Sequence, residues 1–195
     1  WVTHAQNVSP STGFNLDYKS RGTRGQYEWQ GAREKNLSLA FSHTGKKYSV
    51  HAGYIYNMGN LKENGGILRD RDITDTVFER PELLDVRLND ARNLFKNNTF
   101  YVVQSYGVPL RQLTDEDFSI ARNSTIFFGY SFLYSRFYKR YTDTKAESGD
   151  FYENWYVSPE RSYDSIFESL LSNRLFVQIQ PWDRDGAVGV INAGI

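Results

Sequence analysis

The sequence predicts an all-β chain: an antiparallel up-and-down meander forming part of a transmembrane β-barrel, with a short helix in one long loop. Three observations predict it. Apolar and polar residues alternate with a period of two through several segments, which is the period of a strand with one greasy face. Two of these segments, Ser49 to Asn60 and Ser124 to Tyr138, are long. A membrane-spanning strand takes about 9–11 residues, whereas globular strands cluster near about 5–6. The links between segments also alternate in length, as in barrels with short turns at one end and long loops at the other.

Gly13 to Arg21 is the first strand, with Phe14, Leu16 and Tyr18 on one side and Asn15, Asp17 and Lys19 on the other. A polar stretch follows from Gly22 to Glu34, interrupted by a short alternating piece, Gln26 to Gln30. Lys35 to Asn60 forms the clearest hairpin. Leu37, Leu39 and Phe41 alternate with Ser38, Ala40 and Ser42; Tyr48, Val50, Ala52, Tyr54 and Tyr56 alternate with Ser49, His51, Gly53, Ile55 and Asn57. The Gly-containing link between them reads as a tight turn.

After Asn60 the alternation dissolves into Glu63-Asn64-Gly65-Gly66 and the charged run Arg69-Asp70-Arg71-Asp72. Between Pro81 and Lys96 the period changes. Leu84, Leu88, Ala91 and Phe95 fall on one helical face, and Pro81 suits a first helical turn, so a helix is expected there. Asn98 to Val108 returns to strand, and Pro109 ends it because proline cannot donate to the ladder.

A polar link, Arg111 to Arg122, leads to the strand Ser124 to Tyr138. Ile126, Phe128, Tyr130, Phe132 and Tyr134 line one of its faces; Gly129, Ser131 and Ser135, with Phe127 and Leu133, line the other. A long loop passes through Glu147 to Asp150 and Ser158 to Glu160. The next strand lies within Ser165 to Gln180, where Leu175, Val177 and Ile179 oppose Phe176, Gln178 and Gln180. Asp183-Arg184-Asp185-Gly186 turns the chain into a last strand toward Ile195.

These segments make one domain over residues 1–195, a partial barrel of about seven strands. Bacterial barrels normally have an even number, so further strands are expected beyond both ends. Trp1-Val2-Thr3-His4 has no signal-peptide character, which fits an internal fragment of a longer protein. On parity, the Thr44-Gly45-Lys46 turn, the Pro109 link and the 183–186 turn fall at the periplasmic end. The links after Arg21, Asn60 and Tyr138 fall outside the cell.

Composition narrows the partners. Aromatics make up 16% of the chain, with 14 Tyr and 13 Phe, as a ring-bordered barrel requires. Lys plus Arg (23) equals Asp plus Glu (23), so no net basic field draws nucleic acid, and no strong ion preference is expected. The absence of Cys excludes disulfides, thiol nucleophiles and thiolate metal sites.

Gly25 to Gln30, Asn36 to Leu39, Tyr48 to Asn57 and Glu63-Asn64-Gly65-Gly66-Ile67 together resemble the putative porins of Bacteroidota. Tyr163-Asp164-Ser165 and Leu171 to Leu175 resemble a downstream strand of the same family. The resemblance spans most of the chain and implies an outer-membrane barrel that passes small hydrophilic solutes by diffusion. It brings no catalytic or ligand-binding motif with it, so no enzyme activity and no cofactor are expected.

The candidate functional residues are therefore those opposite the rings. Asn15, Asp17, Lys19, Ser49, His51, Asn57, Ser131, Ser135, Gln178 and Gln180 are expected to line an aqueous lumen. Tyr48, Tyr54, Tyr56, Tyr134 and Tyr138 are expected to sit in interfacial girdles against membrane lipid. His4, His43 and His51 are scattered; His51 beside Ser49 lacks the acid partner a hydrolase needs. Glu63, Asn64, Asp70, Asp72 and Asp75 offer oxygen ligands without the regular spacing of a calcium loop, so no metal is assigned. Gly65 and Gly66 serve a turn with positive φ instead. The competing reading is a soluble β-sandwich that binds carbohydrate through Trp29, Trp155 and Trp182.

Overall fold

A computed structural model describes residues 1–69, 80–109, 125–145, 151–152, 161–180 and 191–194. The described strands are β1 (Val2–Ser9), β2 (Thr12–Thr23), β3 (Ala32–Thr44), β4 (Tyr48–Lys62), β5 (Arg92–Pro109), β6 (Thr125–Asp143), β7 (Ser162–Gln180) and β8 (Ile191–Gly194). They form a single antiparallel sheet in sequence order. Each strand pairs with its chain neighbours, and β1 and β8 are the sheet's open edges.

The expected meander is present, with two differences in its parts. β1 is an additional strand, paired from Val2↔Tyr18 to Ser9↔Thr12. Its own alternation is weak, and it is a strand because β2 offers it a ladder. The helix expected from Pro81 to Lys96 is absent. Pro81–Leu83 makes a single 3-10 turn, and β5 already begins at Arg92. The spacing of Leu84, Leu88 and Ala91 marks burial in an irregular loop, not a helical face. That loop folds against residues 63–68. Arg87 N donates to the Gly66 carbonyl, Leu88 N to Asn64 and Leu68 N to Asp85, and Ile67 bridges Val86. Gly65 and Gly66 do adopt positive φ, 63° and 91°, as the turn requires. The piece Gln26 to Gln30 is a turn as well, closed by Gln26 N and Tyr27 N donating to Gln30 Oε1.

The strands are longer than the alternation suggested: β5 has 18 residues and β6 and β7 have 19 each. Register runs unbroken from β2 to β7, so residues can be followed in rows across the sheet. One row reads Leu16, Leu39, Tyr54, Phe100, Tyr134, Leu171. The next reads Asp17, Ser38, Ile55, Thr99, Ser135, Leu170 on the opposite side. The first side is here called the ring face and the second the polar face.

No second layer covers the ring face among the described residues. Phe128 is 54% exposed and Leu175 is 68% exposed, and the buried hydrophobic residues are Leu84, Leu88 and Ala91. All three belong to the loop between β4 and β5. On the polar face, large rings lie down along the sheet. Phe95, Tyr101 and Phe176 each cover a glycine directly across the ladder: Gly59, Gly53 and Gly129. A Cβ at Gly53 would meet the Tyr101 ring at 2.5 Å, so only glycine lets the ring settle there.

Candidate functional site

Because side chains alternate along a strand, the register decides which candidate residues share a surface. Asn15, Asp17, Lys19, Ser49, His51, Asn57, Ser131, Ser135 and Gln178 all fall on the polar face, and position 180 continues the same file opposite Thr125. Hydroxyls and amides there bond across the ladder. Ser49 Oγ and Ser105 Oγ are 2.8 Å apart, as are Thr99 Oγ1 and Ser135 Oγ. Asn97 Oδ1 lies 3.3 Å from Thr99 Oγ1 and 3.2 Å from Ser135 Oγ, so one of the two hydroxyls donates to it while the other donates to its partner hydroxyl. Asp17 accepts from Thr3 at 2.9 Å and lies 3.8 Å from Lys19 Nζ.

The histidines do not meet. His51 shares the polar face with Ser49, whose hydroxyl pairs with Ser105, while His43 Nδ1 lies 2.7 Å from Thr12 Oγ1 and His4 stacks near Phe14.

Within the ring face, three side-chain amides pair with tyrosines. Tyr48 donates to Gln104 Oε1 at 2.8 Å, Tyr54 to Asn98 Oδ1 at 2.8 Å and Tyr130 to Asn173 Oδ1 at 2.6 Å. Each of these three amide oxygens thus receives a donor from a neighbouring tyrosine. Tyr48 opens β4, but Tyr54 and Tyr134 share a row well inside their strands. They approach the end of the apolar band, and the strands continue beyond it.

At the long-loop end stands Trp29, whose role was invisible in the sequence. It has φ 53°, a left-handed conformation that a bulky residue adopts only when held. Its Nε1 donates to the Ala91 carbonyl at 2.7 Å. Its ring lies 4.1 Å from Lys62 Nζ and 5.1 Å from Arg92 Cζ. Lys62 and Arg92 face each other across the β4–β5 ladder, where like charges repel, and the shared indole offsets that repulsion. The clue in the sequence would have been the two cations at paired positions. Around Trp29 opens a cleft of about 800 Å³ lined by Arg24, Tyr27, Glu28, Arg33, Asn60 and the two cations. With its N–H bonded and its ring against two cations, Trp29 is not the free platform a sugar needs. Trp155 and Trp182 lie outside the described residues, as do Asp70, Asp72, Asp75 and the 183–186 turn.

At the end of β6, Asp143 is buried. It accepts from Tyr152 Oη at 3.0 Å and from Lys145 N at 3.3 Å. Tyr152 Oη also lies 2.6 Å from Tyr141 Oη. Burial pushes the Tyr152 hydroxyl above the ordinary phenol range, and its bonds to Tyr141 and Asp143 push it further. Thr144 donates to Asp90, tying the end of β6 to the loop before β5.

A family model described as a putative porin matches residues 1–191. No curated protein and no solved structure matches the chain. A continuous antiparallel meander, one uncovered face of rings and one polar face are what a barrel protein of that family requires, and the chain belongs to the putative porin family.

Proposed function

We propose that the chain forms part of an outer-membrane β-barrel through which small hydrophilic solutes diffuse. The observation that carries this reading is the two-sided sheet. Strands of up to 19 residues leave their rings uncovered on one side and gather the polar candidates on the other. An aqueous chain seldom leaves so large an apolar surface bare. In a bilayer that surface meets hydrocarbon, and every backbone group inside the sheet already has its partner.

The solute path is lined by hydroxyls, amides and charges of both signs, including Asp17, Lys19, Glu168 and Arg174. Passage through such a lining is set by width and by weak, mixed charge, and needs no catalytic group. The test is planar-bilayer conductance of the full-length protein carrying this chain. Stepwise conductance that Ser131→Arg alters is expected. Full-length protein in the soluble fraction, with no heat-modifiable gel mobility, would overturn the reading.

A further inference from the structure

If the ring face meets lipid, its charge is one-sided. Among the described strand residues, every charged side chain on the ring face is a cation. The strand carboxylates Asp17, Glu34, Asp143, Asp164 and Glu168 all take the polar face. Most of the cations are also grouped. Lys35 and Lys96 share one row, Arg33 and Arg140 the next, and Lys62 and Arg92 the third, rising from the apolar band toward the long loops. At about 4.8 Å per strand, Lys35 and Lys96 stand about 10 Å apart, and Arg33 and Arg140 about 15 Å. Arg136, one row below, lies over the Phe167 ring instead, 5.0 Å from its centroid.

The bland account is a solvated rim of the strands. Water, however, accepts either sign, and the polar face at the same height is mixed: Arg21 pairs with Glu34 at 3.0 Å, and Lys139 shares that row. On the ring face Arg33, Lys35, Lys96 and Arg140 make no ion pair among the described residues. Segregation by face, placed where the apolar band ends, calls for an anion at a membrane surface. We propose that this rim docks a phosphate-bearing lipid headgroup of the leaflet on the long-loop side. Lysines and arginines reach the phosphates while the Tyr and Phe rows below them meet the acyl chains. The proposal rests on the membrane reading above.

The experiment uses the full-length protein in nanodiscs of phosphatidylcholine doped with a phosphorylated glycolipid, with retained lipid counted by native mass spectrometry. Wild-type protein enriches the glycolipid over phosphatidylcholine. Lys35→Gln/Lys96→Gln/Arg140→Gln lowers that enrichment about a hundredfold, since each cation near an anionic surface is worth about fivefold. Arg21→Gln/Lys139→Gln, at the same height on the other face, leaves enrichment within about twofold of wild type on the same scale. Equal loss in both variants means net charge alone matters and overturns the proposal. So does unchanged enrichment in the triple variant, or displacement of the glycolipid by millimolar inorganic phosphate, which would mark a free-phosphate site. Heat-modifiable mobility is read in parallel: if wild-type protein fails to insert, the membrane reading has failed, whereas insertion without enrichment overturns the rim alone.

Discussion

Leu88 and Leu175 are the same residue in opposite circumstances. Leu88, in the loop that caps the long-loop end, is 2% exposed, whereas Leu175, on the ring face of β7, is 68% exposed. The cap is built as water demands. Leu84, Leu88 and Ala91 are sealed, and the backbone around them is bonded to residues 64–68. The ring face is built as if water were not its solvent. A chain able to bury a leucine so fully in an irregular loop has not failed to bury another on a regular strand. The contrast is what the membrane reading proposed above would produce, with water around the cap and lipid against the ring face.

The largest expected effect separates the two leucines directly. Leu88→Ala removes side-chain contacts and leaves a void, costing the cap about 2–5 kcal/mol. If the ring face meets lipid as proposed, Leu175→Ala opens no void, because lipid chains fill the space, and only the transfer term of about 2 kcal/mol is lost. Hydrogen exchange in vesicles reads both, and equal losses would mean that one solvent serves both regions. The next effect compares the two faces. Phe132, 6.2 Å from Phe100 by ring centroids on the ring face, becomes costly as Phe132→Arg, by about 2–4 kcal/mol in denaturant unfolding from vesicles. Ser131→Arg, one residue away on the polar face, is tolerated and shows its effect in conductance. Equal damage from the pair would break the assignment of faces.

The smallest effect belongs to the cap alone. Tyr152→Phe removes the hydroxyl that Asp143 accepts from and costs about 1–2 kcal/mol of local stability. The Tyr152 hydroxyl titrates higher in the folded cap than in the open one. Its contribution is therefore complete below about pH 10 and is lost as pH rises above that. Limited proteolysis of the cap against pH should show cutting that accelerates above about pH 10 in the wild type. The Tyr152→Phe variant should show a flatter profile, and the same slope in both would remove Tyr152 from the account.

How much of this was legible depended on whether the cause was local. The two faces could be read because strand periodicity is local: Phe14, Leu16 and Tyr18 against Asn15, Asp17 and Lys19 already state them. β1 was missed because Val2 to Ser9 carries little alternation and is ordered by pairing to β2. The false helix at Pro81 to Lys96 arose because an apolar spacing of three and four reports burial, and an irregular loop can bury residues at that spacing too. Trp29 was out of reach for another reason. Its partners Lys62, Ala91 and Arg92 are brought to it by the β4–β5 pairing and the loop between those strands. The charge balance was silent on placement. A formal total of zero says nothing of position, and among the described strand residues the carboxylates keep to the polar face while cations occupy both, a pattern visible in Arg33-Glu34-Lys35 once the sides are known.

The rings of Phe95, Tyr101 and Phe176, each resting on a glycine of the next strand, have a consequence for bore. An upright phenylalanine claims several ångströms of headroom, while one folded flat claims roughly its own thickness. For a conduit, the narrowest passage is then governed by the smallest residues on the wall. If that face lines a passage as proposed, Gly53, Gly59 and Gly129 keep three rings flat against the wall, and a methyl group at any of them would lift one toward the lumen.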